Sequence, residues 1–240
     1  MVERGSIFGL VGPNGAGKTT VIKMLTTLLP PTGGNAFVDN HSIKLEAGQV
    51  RRAIGYVPQL LSADGALTGY ENLLIFSKLY DIPRRERQQR IREVLDFMGL
   101  SGFSDKLVRT YSGGMIRRLE IAQAMLHRPK ILFLDEPTVG LDPVARKAVW
   151  QHIQQLRVDC GTTIFLTTHY MDEADQLCSR LAIMHLGKVA AIGSPSELKC
   201  SVGNGATLDD VFAYYSGAEV DSAGGYREAT RVRRITRRLG

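Results

Sequence analysis

The run Gly12-Pro13-Asn14-Gly15-Ala16-Gly17-Lys18-Thr19 constrains the fold of this chain more than any other stretch. It has the phosphate-loop spacing Gly-x4-Gly-Lys-Thr, follows a short apolar run at residues 6–11, and precedes a helical pattern at residues 19–29 that Pro30-Pro31 stops. Glycines let successive backbone N–H groups turn inward around phosphate oxygens, where side chains would stand in the way. The helix that follows points its positive end at the same anion. Lys18 reaches the outer phosphates, Thr19 offers a hydroxyl to a divalent cation, and Thr20 adds a further phosphate contact. Strand, phosphate loop and helix in that order predict an α/β layer structure.

The rest of the chain extends that expectation. Apolar runs at 53–58, 130–134, 162–166 and 180–185 read as further strands. Three of them end in polar groups: Gln59, the pair Asp135-Glu136, and His169. Ligands of open parallel sheets sit beyond the carboxyl ends of strands, so these groups converge where the phosphates would lie. Asp135 is the expected Mg²⁺ partner, and Glu136, one residue further on, is the candidate base for an attacking water. His169 is placed to orient that water. Gln59, a neutral donor and acceptor, is placed to touch Mg²⁺ or the water.

Between about 60 and 128 the strand signal disappears. A charged helix opens after Ile82-Pro83, carries Ile91, Val94, Leu95 and Met98 on one face, and ends at Gly99; another runs from Gly113-Gly114 to about His127. This reads as a helical lobe inserted into the α/β core. A helix start is expected at Ser194-Pro195-Ser196-Glu197, and a short helix at 208–215.

Several functions are excluded or made improbable by composition. Of the net charge of +6, residues 226–240 carry +5, from six arginines and Glu228. The basicity belongs to a tail, not to a nucleic-acid-binding face of the domain. That tail, with Val232, Ile235 and Leu239 at helical spacing, reads either as a basic amphipathic helix against anionic lipid headgroups or as a solvated chain. No run approaches the length of a membrane span, and the first residues do not resemble a secretion signal. The three cysteines are scattered like reduced thiols of a cytosolic protein.

Tyr111-Ser112-Gly113-Gly114-Met115, about twenty residues ahead of the Asp135 strand, selects among phosphate-loop proteins. With Gln59, Gly140-Leu141-Asp142-Pro143 and His169 it resembles the ABC ATPase family in full motif order, over about residues 5–216. The resemblance implies a P-loop NTPase core with a parallel sheet flanked by helices, ATP and Mg²⁺ as cofactors, and ATP hydrolysis. It implies that Ser112, Gly113 and Gly114 contact the γ-phosphate of ATP held by a second ABC ATPase subunit. A head-to-tail homo- or heterodimer follows, with Asp142 coupling its two sites. Partner transmembrane permease subunits and a cytoplasmic position on the inner face of the cell membrane are implied as well.

Tyr111 and Met115 stand where the general family signature has Leu and Gln. Together with Arg117-Arg118-Leu119 and Thr207-Leu-Asp-Asp-Val-Phe212, they resemble the daunorubicin-resistance type of exporter. Two other functions stay open on sequence: a soluble ABC ATPase outside transport, and a non-hydrolysing nucleotide switch. Only eleven residues precede Gly12, and Phe8 lies inside the first strand. The family's antiparallel front sheet is therefore expected to be truncated and its adenine-stacking aromatic missing. The domain is expected over 1–225, with the lobe at about 60–128 and the tail at 226–240.

Overall fold

The computed structural model describes residues 1–216 and the backbone of two short strands, Ala218–Val220 and Tyr226–Glu228. The chain divides into two compact units: Met1–Ile7 with Thr19–Thr167, and Phe8–Lys18 with Thr168–Gly240. In chain order the helices are α1 (Lys18–Leu25), α2 (Ala47–Ala53), α3 (Gly69–Leu79), α4 (Arg84–Phe97), α5 (Gly113–Met125), α6 (Pro143–Cys160), α7 (Met171–Leu177), α8 (Pro195–Val202) and α9 (Leu208–Ser216). The strands are β1 (Ile7–Val11), β2 (Phe37–Val38), β3 (His41–Ser42), β4 (Ile54–Val57), β5 (Ile131–Asp135), β6 (Thr163–Thr168), β7 (Arg180–His185), β8 (Lys188–Gly193), β9 (Ala218–Val220) and β10 (Tyr226–Glu228).

In the first unit β4, β5 and β6 run parallel, with Val57 opposite Leu134 and Asp135 opposite Thr167. Leu132, Leu134, Ile164 and Leu166 are fully buried, as expected of parallel strands covered on both faces. The described elements between residues 60 and 128 are helical: α3, α4, α5 and two single turns, Ser101–Phe103 and Val108–Thr110. α4 buries Ile91 and Leu95, and Met98 beyond its end is buried too. Each such side chain contributes about 1.5–3 kcal/mol on leaving water. α3 was not expected from the sequence, although Thr68 and Glu71 form a capping box at its start.

In the second unit β1 pairs in parallel with β7, and β8 turns back antiparallel to β7. A second capping box, Ser194 with Glu197, starts α8 as expected.

Two expectations are corrected. α1 stops at Leu25, not at 29, because Thr27 adopts a left-handed backbone with φ 63°. The N–H of Thr27 then bonds to the Met24 carbonyl and that of Leu28 to the Lys23 carbonyl, which closes the helix four residues early. In the tail, Tyr226–Glu228 is extended and pairs antiparallel with β9, so a helix does not begin at 226. The rest of the amphipathic pattern, residues 229–239, lies outside the described residues. Ahead of α2, β2 and β3 form a two-residue antiparallel ladder.

Candidate nucleotide and metal site

The phosphate loop is built by backbone. Gly17 has φ +101°, a conformation that side chains rarely adopt. At Gly12 an added Cβ would stand 2.2 Å from the Met184 carbonyl oxygen, so β7 itself fixes glycine there. Lys18 is 4% exposed, and its ammonium donates to the carbonyls of Gly12 at 2.8 Å and Pro13 at 3.1 Å. Its charge is thereby held against its own loop. Pro13, Asn14, Gly15 and Ala16 complete the turn, and Thr19 and Thr20 follow Lys18 on α1.

Asp135 is the last residue of β5 and is 1% exposed. Its Oδ1 accepts from the hydroxyls of Thr19 at 3.2 Å and Thr167 at 2.6 Å. Its buried Oδ2 has no hydrogen-bond partner among the described residues. A buried carboxylate oxygen left without a donor is costly unless something else ligates it, and a hydroxyl close to its partner oxygen matches the all-oxygen preference of Mg²⁺. Among the described residues no group of three or more His, Cys, Asp or Glu side chains would hold a metal unaided. Phosphate oxygens and water would have to supply the rest, as is usual for Mg²⁺. Burial first, and then the Asp135 charge, push the Tyr56 hydroxyl up to about 12.

Glu136 sits just past the strand with φ 48° and is 5% exposed. A left-handed backbone at a non-glycine residue is strained, and such strain persists only where the surroundings impose it. Here Thr167 imposes it: the Glu136 N–H donates to both the Thr167 hydroxyl, at 3.0 Å, and the Thr167 carbonyl, at 3.1 Å. The Gln59 amide, two residues beyond β4, donates to Glu136 Oε2 at 3.2 Å. Thr19, Gln59, Asp135 and Glu136 are therefore brought together as expected. Thr167 is the member that sequence reasoning missed, and its only signal is its position in the strand that leads to His169.

His169 follows β6, with its ring 4.1 Å from that of Tyr170. Ser112 caps α5, its hydroxyl accepting from the Met115 N–H at 3.3 Å. Gly113 and Gly114 open that helix, and a Cβ on Gly114 would stand 2.9 Å from the Ala145 side chain. Asp142 caps α6, accepting from the N–H groups of Val144 and Ala145 at 2.9 Å each. These residues shape two helix starts whose backbone N–H groups suit anionic oxygens.

A parallel strand that ends in a pair of carboxylates, and a phosphate loop between strand and helix, define the class: a P-loop nucleotide-binding α/β protein. Residues 1–139, more than half of the chain, match the ABC transporter family, and the chain belongs to it. It is 48% identical over 203 residues to the daunorubicin/doxorubicin resistance ATP-binding protein DrrA of Streptomyces peucetius, which covers 85% of this chain and 61% of that protein. The chain thus spans less than two thirds of that relative's length. Among solved structures it is similar to an ATP-binding subunit of an ABC transporter, with TM-score 0.77, 29% identity and 90% of each chain covered. It is also similar to a dimeric ATP-binding cassette in a post-hydrolysis state with ADP and Pi bound, with TM-score 0.71, 28% identity and coverage of 81% of this chain and 87% of that one.

Proposed function

We propose that this chain is the ATP-binding and ATP-hydrolysing motor subunit of an ABC-type membrane exporter. The observation that carries the reading is Asp135, with one oxygen bonded to Thr19 and the other without a donor, next to a Glu136 held in a strained backbone and reached by Gln59. A protein that only bound nucleotide would have little use for that second carboxylate. The family membership and the likeness to DrrA support it.

In this reading residues 12–17 wrap the phosphates with backbone N–H groups. Lys18 gives up its loop carbonyls for the β- and γ-phosphates, and Thr20 adds a further phosphate contact. Thr19, Asp135 and Gln59 would hold Mg²⁺, which supplies charge neutralisation on the phosphate oxygens when bound. Glu136 takes the proton of the attacking water, oriented by Gln59 and His169. Ser112, Gly113 and Gly114 complete the site of a second ATPase subunit in a head-to-tail dimer, and Asp142 couples the two sites; the dimeric neighbour supports that assembly. Residues 1–225 form the ATPase domain, with the lobe at about 60–128 inserted in it. No helix of the described residues is long and apolar enough to cross a membrane. Permease subunits supply the spans and hold the chain at the cytoplasmic face, and the arginines of 226–240 add contact with anionic lipid.

Substitution Ser112→Arg places a long cation where the partner's γ-phosphate must enter. It should leave ATP binding by the monomer within about twofold, while dimerisation with ATP and turnover are lost, since uniform binding and assembly are separate contributions. Sedimentation with and without ATP reads the result. A fully active, ATP-dependent dimer of the variant would refute the shared site.

A further inference from the structure

Arg117 heads the largest fully buried side chains among the described residues, at 2% exposure, although nothing in the proposed hydrolytic site requires a cation there. Its guanidinium donates to two successive carbonyls of the loop after β4, to Pro58 at 2.7 Å and to Gln59 at 2.8 Å. One turn further along α5, Glu120 is equally buried and lies 3.0 Å from the same guanidinium, as an ion pair without an aligned hydrogen bond. The other carboxylate oxygen accepts from both the backbone N–H of Ser62 and its hydroxyl, the latter at 3.2 Å. Residues three apart on a helix share a face, so α5 grips the loop at 58–59 and again at 62. Between the two grips Leu60 and Leu61 stand exposed.

Burying a pair of charges is an expensive way to anchor a loop, since well-packed apolar residues stabilise as well or better. What the pair offers is geometry. A planar guanidinium holds two N–H arms in one fixed plane against two neighbouring carbonyls, whereas an ammonium has no such rigid fork. The gripped residue is Gln59, whose side chain reaches Glu136. Gripped at its backbone, that side chain has one short path to the carboxylate.

We propose that the Arg117–Glu120 clamp is a positioning device that sets Gln59 against Glu136 and ties that setting to α5, the helix that Ser112 caps. The inference rests on the proposed hydrolytic roles of Gln59 and Glu136. It makes Arg117 and Glu120 positioning residues that act on turnover through Gln59 and not through the nucleotide.

The test uses the full chain and steady-state ATP hydrolysis by four proteins: the unaltered chain, Gln59→Ala, Arg117→Met with Glu120→Leu, and all three substitutions together. The apolar pair fills the same space and leaves no unpaired charge behind. Loss of the clamp should lower kcat about tenfold or more with KM changed less than about twofold, the pattern of a misplaced catalytic group. The triple variant should be no slower than Gln59→Ala alone. Losses that multiply, or an apolar pair with undiminished kcat, overturn the proposal. If the apolar pair does not fold, Arg117→Lys serves: it keeps the charge and loses the planar fork. Lowered kcat with an unchanged melting temperature supports the clamp, and a lowered melting temperature with full kcat overturns it. An unaltered chain that does not hydrolyse ATP, or a Glu136→Gln variant as fast as it, refutes the hydrolytic reading instead.

Discussion

The phosphate loop and the carboxylate shelf differ in how they are made. Lys18 is satisfied by Gly12 and Pro13, six and five residues away, and the loop's shape is set by glycine positions and by one strand carbonyl. The shelf draws on residues 59, 135, 136 and 167, brought together by the register of three parallel strands, and on Thr19 of α1. The loop is self-contained, and the shelf is only as accurate as the packing behind it. An anion cradle needs donors and a positive field, which local backbone provides. Taking a proton from a water needs a group placed to within a fraction of an ångström, which local backbone does not provide.

If this division is right, the two parts fail differently. The largest effect should come from Glu136→Gln, which keeps size and removes the base. Phosphate release should fall about 10²–10⁴-fold while ATP is still bound, since the cradle is untouched. Near-normal turnover would place the base elsewhere and break the comparison at its shelf. Lys18→Ala should do the opposite and act on binding. Loss of a charge-assisted contact of about 1.5–3 kcal/mol weakens ATP affinity by about 10–100-fold, measurable by equilibrium titration. Unchanged affinity for ATP and ADP would mean that the loop does not hold the phosphates.

The same division governs how much could be read in advance. The loop was legible residue by residue, because its chemistry repeats at a fixed local spacing. Asp135 and Glu136 were legible as strand-end carboxylates, and the motif order gave them roles. Thr167 was not: it acts on Asp135 and Glu136 only because the register sets it opposite Asp135. Arg117 was legible as part of a signature run, but which face of α5 is buried is a tertiary fact. α3 was missed for a different reason. Its capping box is present in the sequence, but Leu73, Leu74, Ile75 and Phe76 form one continuous apolar run and hide the helical period. The early stop of α1 was hidden as well, since a threonine in a left-handed backbone carries none of the signal that glycine gives at a helix end.

The smallest effect sharpens the comparison through pH. His127 lies between α5 and β5, where the chain turns towards Asp135. Its Nε2–H donates to the carbonyl of Ile54, the first residue of β4, at 2.9 Å, and its ring stacks on Tyr80 with centroids 4.0 Å apart. Its Nδ1 is buried without a partner among the described residues, so a proton there would be poorly solvated. Burial first, and then the nearby Arg90 charge, hold its pKa below the ordinary value of 6.5, opposed only by the Ile54 bond. The sign follows from linkage. A group whose folded pKa is depressed contributes stability in full above its unfolded pKa, and that stability is lost as pH falls through the folded one. His152 adds to the same slope, depressed by burial and by Arg118. The melting temperature should therefore fall as pH drops below about 6.5. His127→Gln, which retains a donor for Ile54 and does not titrate, should make that fall shallower. The phosphate loop contains no histidine, so ATP affinity across the same range should move less than the melting temperature does. Identical slopes for the two proteins would show that the joint behind the shelf tolerates the charge, and the shelf would then be less dependent on its packing than the contrast with the loop requires.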